Sequence, residues 1–395
     1  MPAHEKTSGI DYTNILMFAD SLPESIIKRL SIRARELGAV NLGQGIPSFP
    51  TPPHIINAAK IALDDPTIGI YPNFFGELEL REAIVKKLHS DGGEFVTTNN
   101  ILVTVGAMEG TAAAILSLVE YGDRVGVITP DYCNHFPQVM LARGEIIPIP
   151  LQEGAAWMID LVQVERQAKQ GIKLLILTNP GNPTGFVASG PELAALVDLA
   201  NTYGFWILAD ETYSYLTYDT PFTSLLRSWR ACDRMITVRS FSKEYAMTGW
   251  RVGYVVASEE AVKTFVKVHD SLVGCVPKIS QRAAIAALAG SQDFVQEHRE
   301  AYARRRNLTM DAMRRVKSLQ LPRIDGAYYA FVRYEGSESS VVLCERMLTE
   351  AGVAAIPGSA FGAGGEGHFR LSFAVDDDLL QNGLRRIEGM FVVNS

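Results

Sequence analysis

Two ionisable residues follow apolar segments and could therefore do chemistry in a partly dry site. Lys243 comes shortly after the apolar run MITV (235–238), and Asp210 comes directly after FWILA (205–209). Removal from water lowers the pKa of a lysine, and its neutral amine is a nucleophile suited to imine formation. A carboxylate at the end of an apolar strand is costly to bury unless a cation or hydrogen-bond donors face it. Lys243 therefore indicates imine chemistry, and Asp210 indicates that a cation or hydrogen-bond donors lie nearby.

Two turns near these residues have the composition of ligand-binding loops. Gly106, Ala107 and Met108 follow the apolar run ILVTV and precede an alanine-rich helix, so their backbone N–H groups could bind a phosphate at a helix N-terminus. An ordinary strand-to-helix connection has the same composition, so this turn alone leaves both interpretations open. The segment NPGNPTG (179–185) follows KLLILT, and its paired prolines and glycines fix a rigid turn that directs an asparagine amide towards the crevice.

Three other chemistries lack the partner motifs that they need. Ser240 and Lys243 form the S-x-x-K pattern of serine acyl-enzymes, but neither S-D-N nor K-T-G occurs. Asp210 resembles a Walker B acid, but no Gly-Lys dipeptide exists to form a nucleotide-binding loop. The seven histidines show no metal-ligand spacing. We therefore expect no metal centre.

The elements that would position these residues alternate between apolar runs and amphipathic, helix-length segments from about residue 75 to 275. Short two-sided apolar strands joined by helices predict a mainly parallel sheet covered on both faces, with ligands beyond the carboxyl ends of the strands. The six runs predicted as strands are 101–105, 124–128, 173–177, 205–209, 235–238 and 251–256.

The last third of the chain has a different pattern. A charged helix pattern near 291–318 is followed by GAYYAFVRY, another helix, the strand-like HFRLSFA and a terminal helix. These features predict a smaller α+β domain, joined by N-terminal residues. We expect residues 1–50 to belong to this small domain, 51–280 to form the large domain, and 281–395 to complete the small one.

Composition excludes several classes of partner. The 395 residues carry a formal net charge of −7 and no dense basic patch, so nucleic acid is not an expected partner. The polar N-terminus and the lack of a long apolar stretch predict neither a signal peptide nor a membrane span, which makes the cytoplasm the expected location. The four cysteines are widely spaced, as is typical of reduced thiols.

The order and spacing of seven motifs resemble the fold-type I pyridoxal-phosphate-dependent aminotransferases of class I/II, which are aspartate aminotransferase-like. The resemblance covers nearly the whole chain and implies an α/β fold whose large domain has a mainly parallel seven-stranded sheet, with a smaller α+β domain formed from both chain ends. The motifs are LGQGIPSFPTP (42–52), YPNFFGELELREAI (71–84), VTVGAMEGT (103–111), NPGNPTG (179–185), ADETY (209–213), SFSKEYAMTGWRVGY (240–254) and FRLSF (369–373).

The resemblance implies pyridoxal 5′-phosphate as the cofactor and gives roles around its ring. Lys243 would hold the cofactor as a Schiff base and then act as the base that moves the substrate proton. Asp210 would pair with the protonated pyridine nitrogen. Asn182 and Tyr213 would hydrogen-bond the 3′-oxygen of the cofactor, and Tyr132 would stack on the ring.

The same resemblance assigns phosphate and substrate contacts. Arg370 would bind the substrate α-carboxylate, assisted by Asn182 and the Gly45 backbone. Tyr71 would reach the phosphate of a neighbouring subunit, which implies a homodimer with shared active sites. The remaining phosphate contacts would come from Gly106, Ala107, Met108, Ser240, Ser242 and Arg251.

The resulting hypothesis is a ping-pong transamination from an L-amino acid to a 2-oxo acid, with 2-oxoglutarate as a candidate acceptor. A C–S lyase or related elimination enzyme would use the same lysine and cofactor, so the motifs leave that alternative open. A non-catalytic binding or regulatory protein on the same scaffold is a third interpretation, which the presence of all the named site residues disfavours.

Overall fold

The computed structural model describes residues 22–393, and its first elements are short. The part of the predicted N-terminal segment before residue 22 lies outside the described residues. The Ser25 hydroxyl caps the first helix by accepting from the backbone N–H of Lys28. These elements are α1 (Ile26–Glu36), β1 (Val40–Asn41), α2 (Pro53–Ala62) and α3 (Leu78–Ser90).

A seven-stranded sheet forms the centre of the molecule. Its strand order is β2-β8-β7-β6-β5-β3-β4, and β8 alone runs antiparallel to its neighbours. The predicted α/β class with a mainly parallel sheet is confirmed. The strands are β2 (Ile101–Thr104), β3 (Arg124–Thr129), β4 (Glu145–Pro150), β5 (Ile172–Thr178), β6 (Trp206–Asp210), β7 (Met235–Ser240) and β8 (Gly253–Val256).

Both faces of this sheet are buried, as the two-sided apolar strands predicted. Leu174 and Leu175 are adjacent in β5, yet they belong to different hydrophobic clusters because successive side chains point to opposite faces. The cluster around Leu174 includes Phe265 from a covering helix, and the cluster around Leu175 includes Leu196 from another. The sheet is therefore a rigid platform whose strand ends can hold polar groups.

The helices that connect and cover these strands follow the expected alternation. Two are short, and one of them begins directly at the end of β7. Single 3₁₀ turns also occur at Thr98–Asn100, Leu225–Ser228, Thr248–Trp250 and Gly358–Phe361. The helices are α4 (Ala107–Leu118), α5 (His135–Leu141), α6 (Leu161–Lys169), α7 (Gly190–Tyr203), α8 (Phe241–Glu244), α9 (Glu259–Val273) and α10 (Lys278–Ala289).

The C-terminal part forms a second sheet with helices around it. Its four antiparallel strands have the order β12-β13-β10-β9, and β1 pairs in parallel with β11 from the far end of the chain. The strand predicted in HFRLSFA is present as β13, and GAYYAFVRY contains β10. The elements are α11 (Asp293–Arg314), β9 (Leu319–Gln320), β10 (Tyr329–Tyr334), α12 (Ser340–Thr349), β11 (Val353–Ala354), β12 (Ile356–Pro357), β13 (His368–Ser372) and α13 (Asp377–Val393).

One strand of the central sheet was not predicted, and the start of another differs from its predicted run. Strand β4 was not among the six predicted strands, because its two prolines weaken the strand signal, and it lies at an edge of the sheet where proline is tolerated. Strand β8 begins at Gly253 and not at residue 251, because Arg251 has a left-handed φ of 52° that ends the preceding turn. The domain boundaries at residues 50 and 280 stay predictions.

Among residues 22–393, no helix is both long and apolar enough to cross a membrane.

Candidate active site

A cavity of about 260 Å³ opens beyond the carboxyl ends of the central strands. The strand ends supply its polar wall, because polar groups beyond the carboxyl ends of the strands do not take part in the hydrogen bonds of the sheet and can face a ligand. It collects residues from across the chain that the motifs had singled out. These residues are Gly45, Ala107, Met108, Tyr132, Asn182, Asp210, Tyr213, Ser240, Ser242, Lys243, Arg251 and Arg370.

Lys243 lies in the short helix α8 immediately after β7, with its side chain partly buried in the cavity wall. Its Nζ donates a hydrogen bond to the carbonyl oxygen of Gly45 at 2.6 Å. Burial lowers the pKa of this amine to about 8, and the positive charges of Arg370 and Arg251 act in the same direction. About a tenth of the amine is therefore neutral and nucleophilic at pH 7, far more than for an ordinary lysine.

Asp210 ends strand β6 and is buried. One carboxylate oxygen accepts hydrogen bonds from the backbone N–H of Thr212 at 3.0 Å and from its hydroxyl at 2.6 Å. The other oxygen lies 3.7 Å from Nε2 of His135. Burial raises the pKa of Asp210, while the His135 ring opposes that shift. A cationic group at the cavity side would stabilise the ionised form.

Asp131 and His135 form a buried pair behind Asp210. Nδ1 of His135 lies 2.6 Å from one Asp131 oxygen, and the hydroxyl of Thr178 donates to the other. Burial alone would lower the pKa of His135, but the adjacent Asp131 carboxylate and the more distant Asp210 outweigh it, so the pKa is raised. Nε2 of His135 has no hydrogen-bond partner within the described residues. The ring therefore presents a polar edge to Asp210.

The turn that begins α4 forms a cradle with Arg251. Gly106 has a left-handed φ of 75°, and a Cβ atom there would lie 2.5 Å from Nη2 of Arg251. The guanidinium is held by the carbonyl oxygens of Val105 and Thr248, each at 3.1 Å, and by the Ser242 hydroxyl at 3.5 Å. A cation thus lies against a helix N-terminus, an arrangement suited to a phosphate.

Arg370 lies in β13 of the second sheet and is buried. Its Nη1 donates to Oδ1 of Asn182 at 2.8 Å, and its Nη2 donates to the carbonyl oxygen of Gly43. Nε has no partner within the described residues. No carboxylate from residues 22–393 forms an ion pair with this buried guanidinium, which favours an anionic ligand.

Three tyrosines complete the walls. The hydroxyl oxygens of Tyr213 and Tyr329 lie 2.8 Å apart, and burial raises the pKa of both phenols. Tyr132 meets the His135 ring edge-on, with centroids 5.5 Å apart, and its hydroxyl accepts from Asn134 at 2.7 Å. Burial also raises the pKa of the Tyr132 phenol, so both Tyr132 and Tyr213 keep their protons at neutral pH.

Two predicted residues lie outside this list of cavity-lining residues. Gly106 lies against the Arg251 guanidinium in the cradle, where a Cβ atom would collide with it. Tyr71 is 90% exposed and does not line the cavity of its own chain. Met108 lines the cavity and is also 44% exposed, so it lies at the opening. The structure thus brings together every predicted residue except Tyr71.

Several residues that the motifs did not assign also belong to the site. Asp131 could have been found from its position just after β3, since carboxylates at strand ends were the signal that identified Asp210. Residues of α1 and β10 carry no such signal, because only the three-dimensional fold brings them to the cavity. The residues that line the cavity without an assigned role are Ser25, Ile27, Lys28, Gln44, Ile46, Thr111, Cys133, Asn134, Thr178, Thr212, Thr248 and Tyr329.

No cluster of three or more metal-ligating side chains occurs in the part of the chain that the structure describes.

Comparison with known proteins agrees with this geometry. A family model described as "Aminotransferase class I and II" matches residues 38–387. A probable aspartate aminotransferase of Methanocaldococcus jannaschii is 35% identical over 89% of this chain and 93% of that protein. An aromatic-amino-acid aminotransferase of Thermococcus litoralis is 34% identical over 93% of this chain and 95% of that protein. A double mutant of the Thermus thermophilus aspartate aminotransferase superimposes with a TM-score of 0.89 at 30% identity, covering 98% of this chain and 100% of that one.

Proposed function

The chain belongs to the class I and II aminotransferases, and we propose that its cavity binds pyridoxal 5′-phosphate covalently through Lys243. The predicted family and the predicted enzyme class, an aminotransferase, are confirmed by the family match and by the aminotransferases it resembles. That result favours amino-group transfer over the elimination chemistry and the non-catalytic role that the motifs left open. The observation that carries the proposal is that Lys243, Asp210 and Arg370 share one cavity.

The residues present fit this cofactor. The cradle of Gly106, Ala107 and Arg251 offers backbone donors and a cation to a phosphate, and Met108 closes the same turn. The Ser240 hydroxyl accepts from the backbone N–H of Ser242 at 3.1 Å, so its own proton can be donated to a phosphate oxygen. Both hydroxyls line the cavity.

The ring would be held by four side chains. The buried carboxylate of Asp210 meets the need for a counter-ion to a protonated ring nitrogen. Oδ1 of Asn182 accepts from Arg370, which turns the amide so that its Nδ2 can donate to the 3′-oxygen of the ring. Tyr213 would donate to the same oxygen, and Tyr132 would cover one ring face.

When bound, the cofactor supplies an electron-withdrawing ring that stabilises negative charge at the substrate α-carbon. Lys243 would supply the nucleophilic amine that holds the cofactor. The same Nζ, once released, would carry the proton from the α-carbon of the donor to the cofactor, and in the second half-reaction it would carry a proton back to the α-carbon of the acceptor. Asp210 would pair with the ring nitrogen and so hold a proton on it. Because donor and acceptor would use Arg370 and Lys243 of the same cavity in turn, the oxo acid product would leave before the second oxo acid enters, and the proposed mechanism is ping-pong.

Arg370 would bind the substrate α-carboxylate with a bidentate guanidinium, aided by Asn182 and Gly45. We propose an L-amino acid as the donor and 2-oxoglutarate as the acceptor. Lys28 lines the same cavity and is a cation suited to a second, distal carboxylate. The names of the two relatives make aspartate and aromatic amino acids the first donors to test.

A homodimer is part of the proposal. Tyr71 is 90% exposed on a segment that also exposes Ile70 (64%) and Phe74 (47%), and Met108 at the cavity opening is exposed as well. Apolar side chains of this kind are typical of a protein interface. Tyr71 would reach the phosphate in the neighbouring subunit. We also propose a cytoplasmic location, which the four free cysteines fit.

The deciding experiment is a spectral titration of the purified protein with single amino acids and no oxo acid. We expect a yellow protein whose visible band is replaced by a near-ultraviolet band as the donor's oxo acid is released. Lys243→Ala should abolish both changes, and Lys86→Ala, at a residue not among those lining the cavity, is the matched control. Release of ammonia and pyruvate with a persistent visible band would identify an elimination enzyme instead. A protein that takes up no pyridoxal phosphate would refute the whole proposal.

A further inference from the structure

Tyr329, the first residue of β10, lies between two groups that the proposed function uses separately. It is buried and lines the cavity, and no motif pointed to it. On one side its hydroxyl contacts the phenol of Tyr213, which is proposed to bind the cofactor. On the other side its ring contacts Arg370, which is proposed to bind the substrate carboxylate. One side chain therefore touches both binding functions.

The contact with Tyr213 has a preferred direction. The two hydroxyl oxygens are 2.8 Å apart, and burial raises the pKa of both phenols, so each keeps its proton at neutral pH. A hydroxyl has one proton to donate. If Tyr213 donates its proton to the cofactor, it can only accept from Tyr329. The Tyr329 hydroxyl thus fixes the Tyr213 proton towards the ligand and strengthens that donor through the chain of hydrogen bonds.

The contact with Arg370 is made by the ring. The guanidinium carbon lies 4.4 Å from the centroid of the Tyr329 ring, within the range of a cation–π interaction. This contact supports the guanidinium while Asn182 and Gly43 hold two of its nitrogens. The ring therefore keeps Arg370 in place for an incoming carboxylate, independently of the hydroxyl.

Gly45 sets the space in which Tyr329 stands. A Cβ atom at position 45 would lie 1.9 Å from the Tyr329 hydroxyl oxygen, so only glycine leaves room for it. The carbonyl oxygen of Gly45 accepts from Lys243 at 2.6 Å and from the neighbouring Tyr328 at 3.0 Å. The Tyr328 hydroxyl therefore shares the carbonyl that Lys243 uses. Tyr334, at the other end of β10, donates instead to the carbonyl oxygen of Glu338 and is not among the residues lining the cavity, so it is the matched control.

We propose that Tyr329 is a positioning residue that couples the two ends of the site, its hydroxyl orienting Tyr213 towards the cofactor and its ring holding Arg370 for the substrate carboxylate. The proposal rests on the proposed function. It separates into two parts because the hydroxyl and the ring make different contacts, and each part can be removed by a different substitution.

Tyr329→Phe removes the hydroxyl and keeps the ring. In the holoenzyme, we expect the pKa of the bound cofactor's visible band, followed by absorbance against pH, to rise by about half a unit, because Tyr213 becomes a weaker donor to the ring oxygen. The KM for the oxo acid should stay within about twofold of the original value. Tyr334→Phe should leave the spectral titration unchanged.

Tyr329→Leu removes the ring as well. We expect the same spectral shift together with a rise of about tenfold in the KM for both carboxylate substrates, which corresponds to loss of the cation–π support. Equal KM values in the phenylalanine and leucine variants would overturn the role of the ring. An unchanged titration in Tyr329→Phe would overturn the role of the hydroxyl.

Folding and function are separated by two further measurements. Thermal unfolding monitored by circular dichroism identifies a leucine variant that does not fold, and in that case the phenylalanine titration still decides the role of the hydroxyl. Failure of the unsubstituted protein to bind pyridoxal phosphate would refute the proposed function itself. A normal wild-type titration with unaltered variants would refute only the role of Tyr329.

Discussion

The cofactor end and the substrate end of the cavity are built in different ways. At the cofactor end, residues 106–108, 210–213, 240–243 and 251 come directly after strands of one sheet or from the turn that leads into its next strand, so each motif brings its own support. At the substrate end, Lys28, Gly45, Tyr329 and Arg370 come from four distant segments that meet through the second sheet and the pairing of β1 with β11. The first end depends on local geometry, and the second depends on how the segments pack.

This difference predicts different responses to substitution. Changes at the cofactor end should affect all substrates equally, because every substrate meets the same ring. Changes at the substrate end should affect binding and should depend on which acid is offered.

The largest effect is expected for Asp210→Ala at the cofactor end. The substitution removes the counter-ion of the ring nitrogen, so we expect turnover to fall by on the order of a thousandfold for every donor and acceptor. Steady-state kinetics with two donors and two oxo acids would measure it. Unequal losses among substrates would contradict the proposed separation of the two ends. Thr212→Val, which removes one hydrogen bond to the same carboxylate, is the milder companion variant.

Arg370→Gln should have the next largest effect. It removes a buried charge that the α-carboxylate of every substrate would meet, so we expect kcat/KM to fall by about a hundredfold, mainly through KM. The visible spectrum of the bound cofactor should change little. A loss confined to kcat would place Arg370 functionally at the cofactor end. Arg333→Gln, in the neighbouring strand but half exposed, is a suitable control.

The pH dependence of cofactor capture tests the cofactor end without any substrate. Burial lowers the pKa of Lys243 from 10.5 to about 8, so the cofactor-free protein should capture pyridoxal phosphate about tenfold more slowly for each pH unit below 8. The lowered pKa also means that the stability contributed by the neutral amine is complete above 10.5 and is lost as pH falls through 8. Stopped-flow absorbance measures the capture rate, and a flat profile would contradict the lowered pKa.

His135→Asn tests the layer behind Asp210. The imidazole lies 3.7 Å from the Asp210 carboxylate, and its raised pKa favours a positive charge there. Loss of the positive charge near Asp210 would change the pKa of that carboxylate and its ion pair with the ring nitrogen. We therefore expect turnover to fall by about fivefold for all substrates, with a shifted pH profile. The pH dependence of kcat would measure this change. A substrate-dependent effect would show that the substrate end extends to this ring.

Lys28→Ala should have the smallest effect. A partly screened ion pair contributes about 1 kcal/mol or less, so we expect KM to rise by up to about fivefold for dicarboxylic acids and to stay constant for monocarboxylic ones. Comparing 2-oxoglutarate with 2-oxobutyrate would measure this selectivity. An equal change for both acids would exclude a role in recognising a distal carboxylate. Arg29→Ala, the adjacent exposed cation in α1, is the matched control.

The sequence was informative where chemistry and local structure coincide. Lys243 and Asp210 could be identified because each follows a buried strand, and the mainly parallel sheet followed from the two-sided apolar runs. The contact of Arg370 with Asn182 spans 188 positions, and no local pattern encodes it. Tyr329 was missed for a different reason: an aromatic residue in an apolar strand is usually a core residue, so its type gave no signal.

The separation of the two ends also has a consequence for synthesis on the ribosome. All the residues of the cofactor end have been translated once Arg251 has been added, whereas Arg370 lies in a strand close to the end of the chain. Strand β1 likewise cannot pair until its partner β11 has been translated. A nascent chain therefore carries every residue of the cofactor end well before it carries Tyr329 and Arg370, which complete the substrate end.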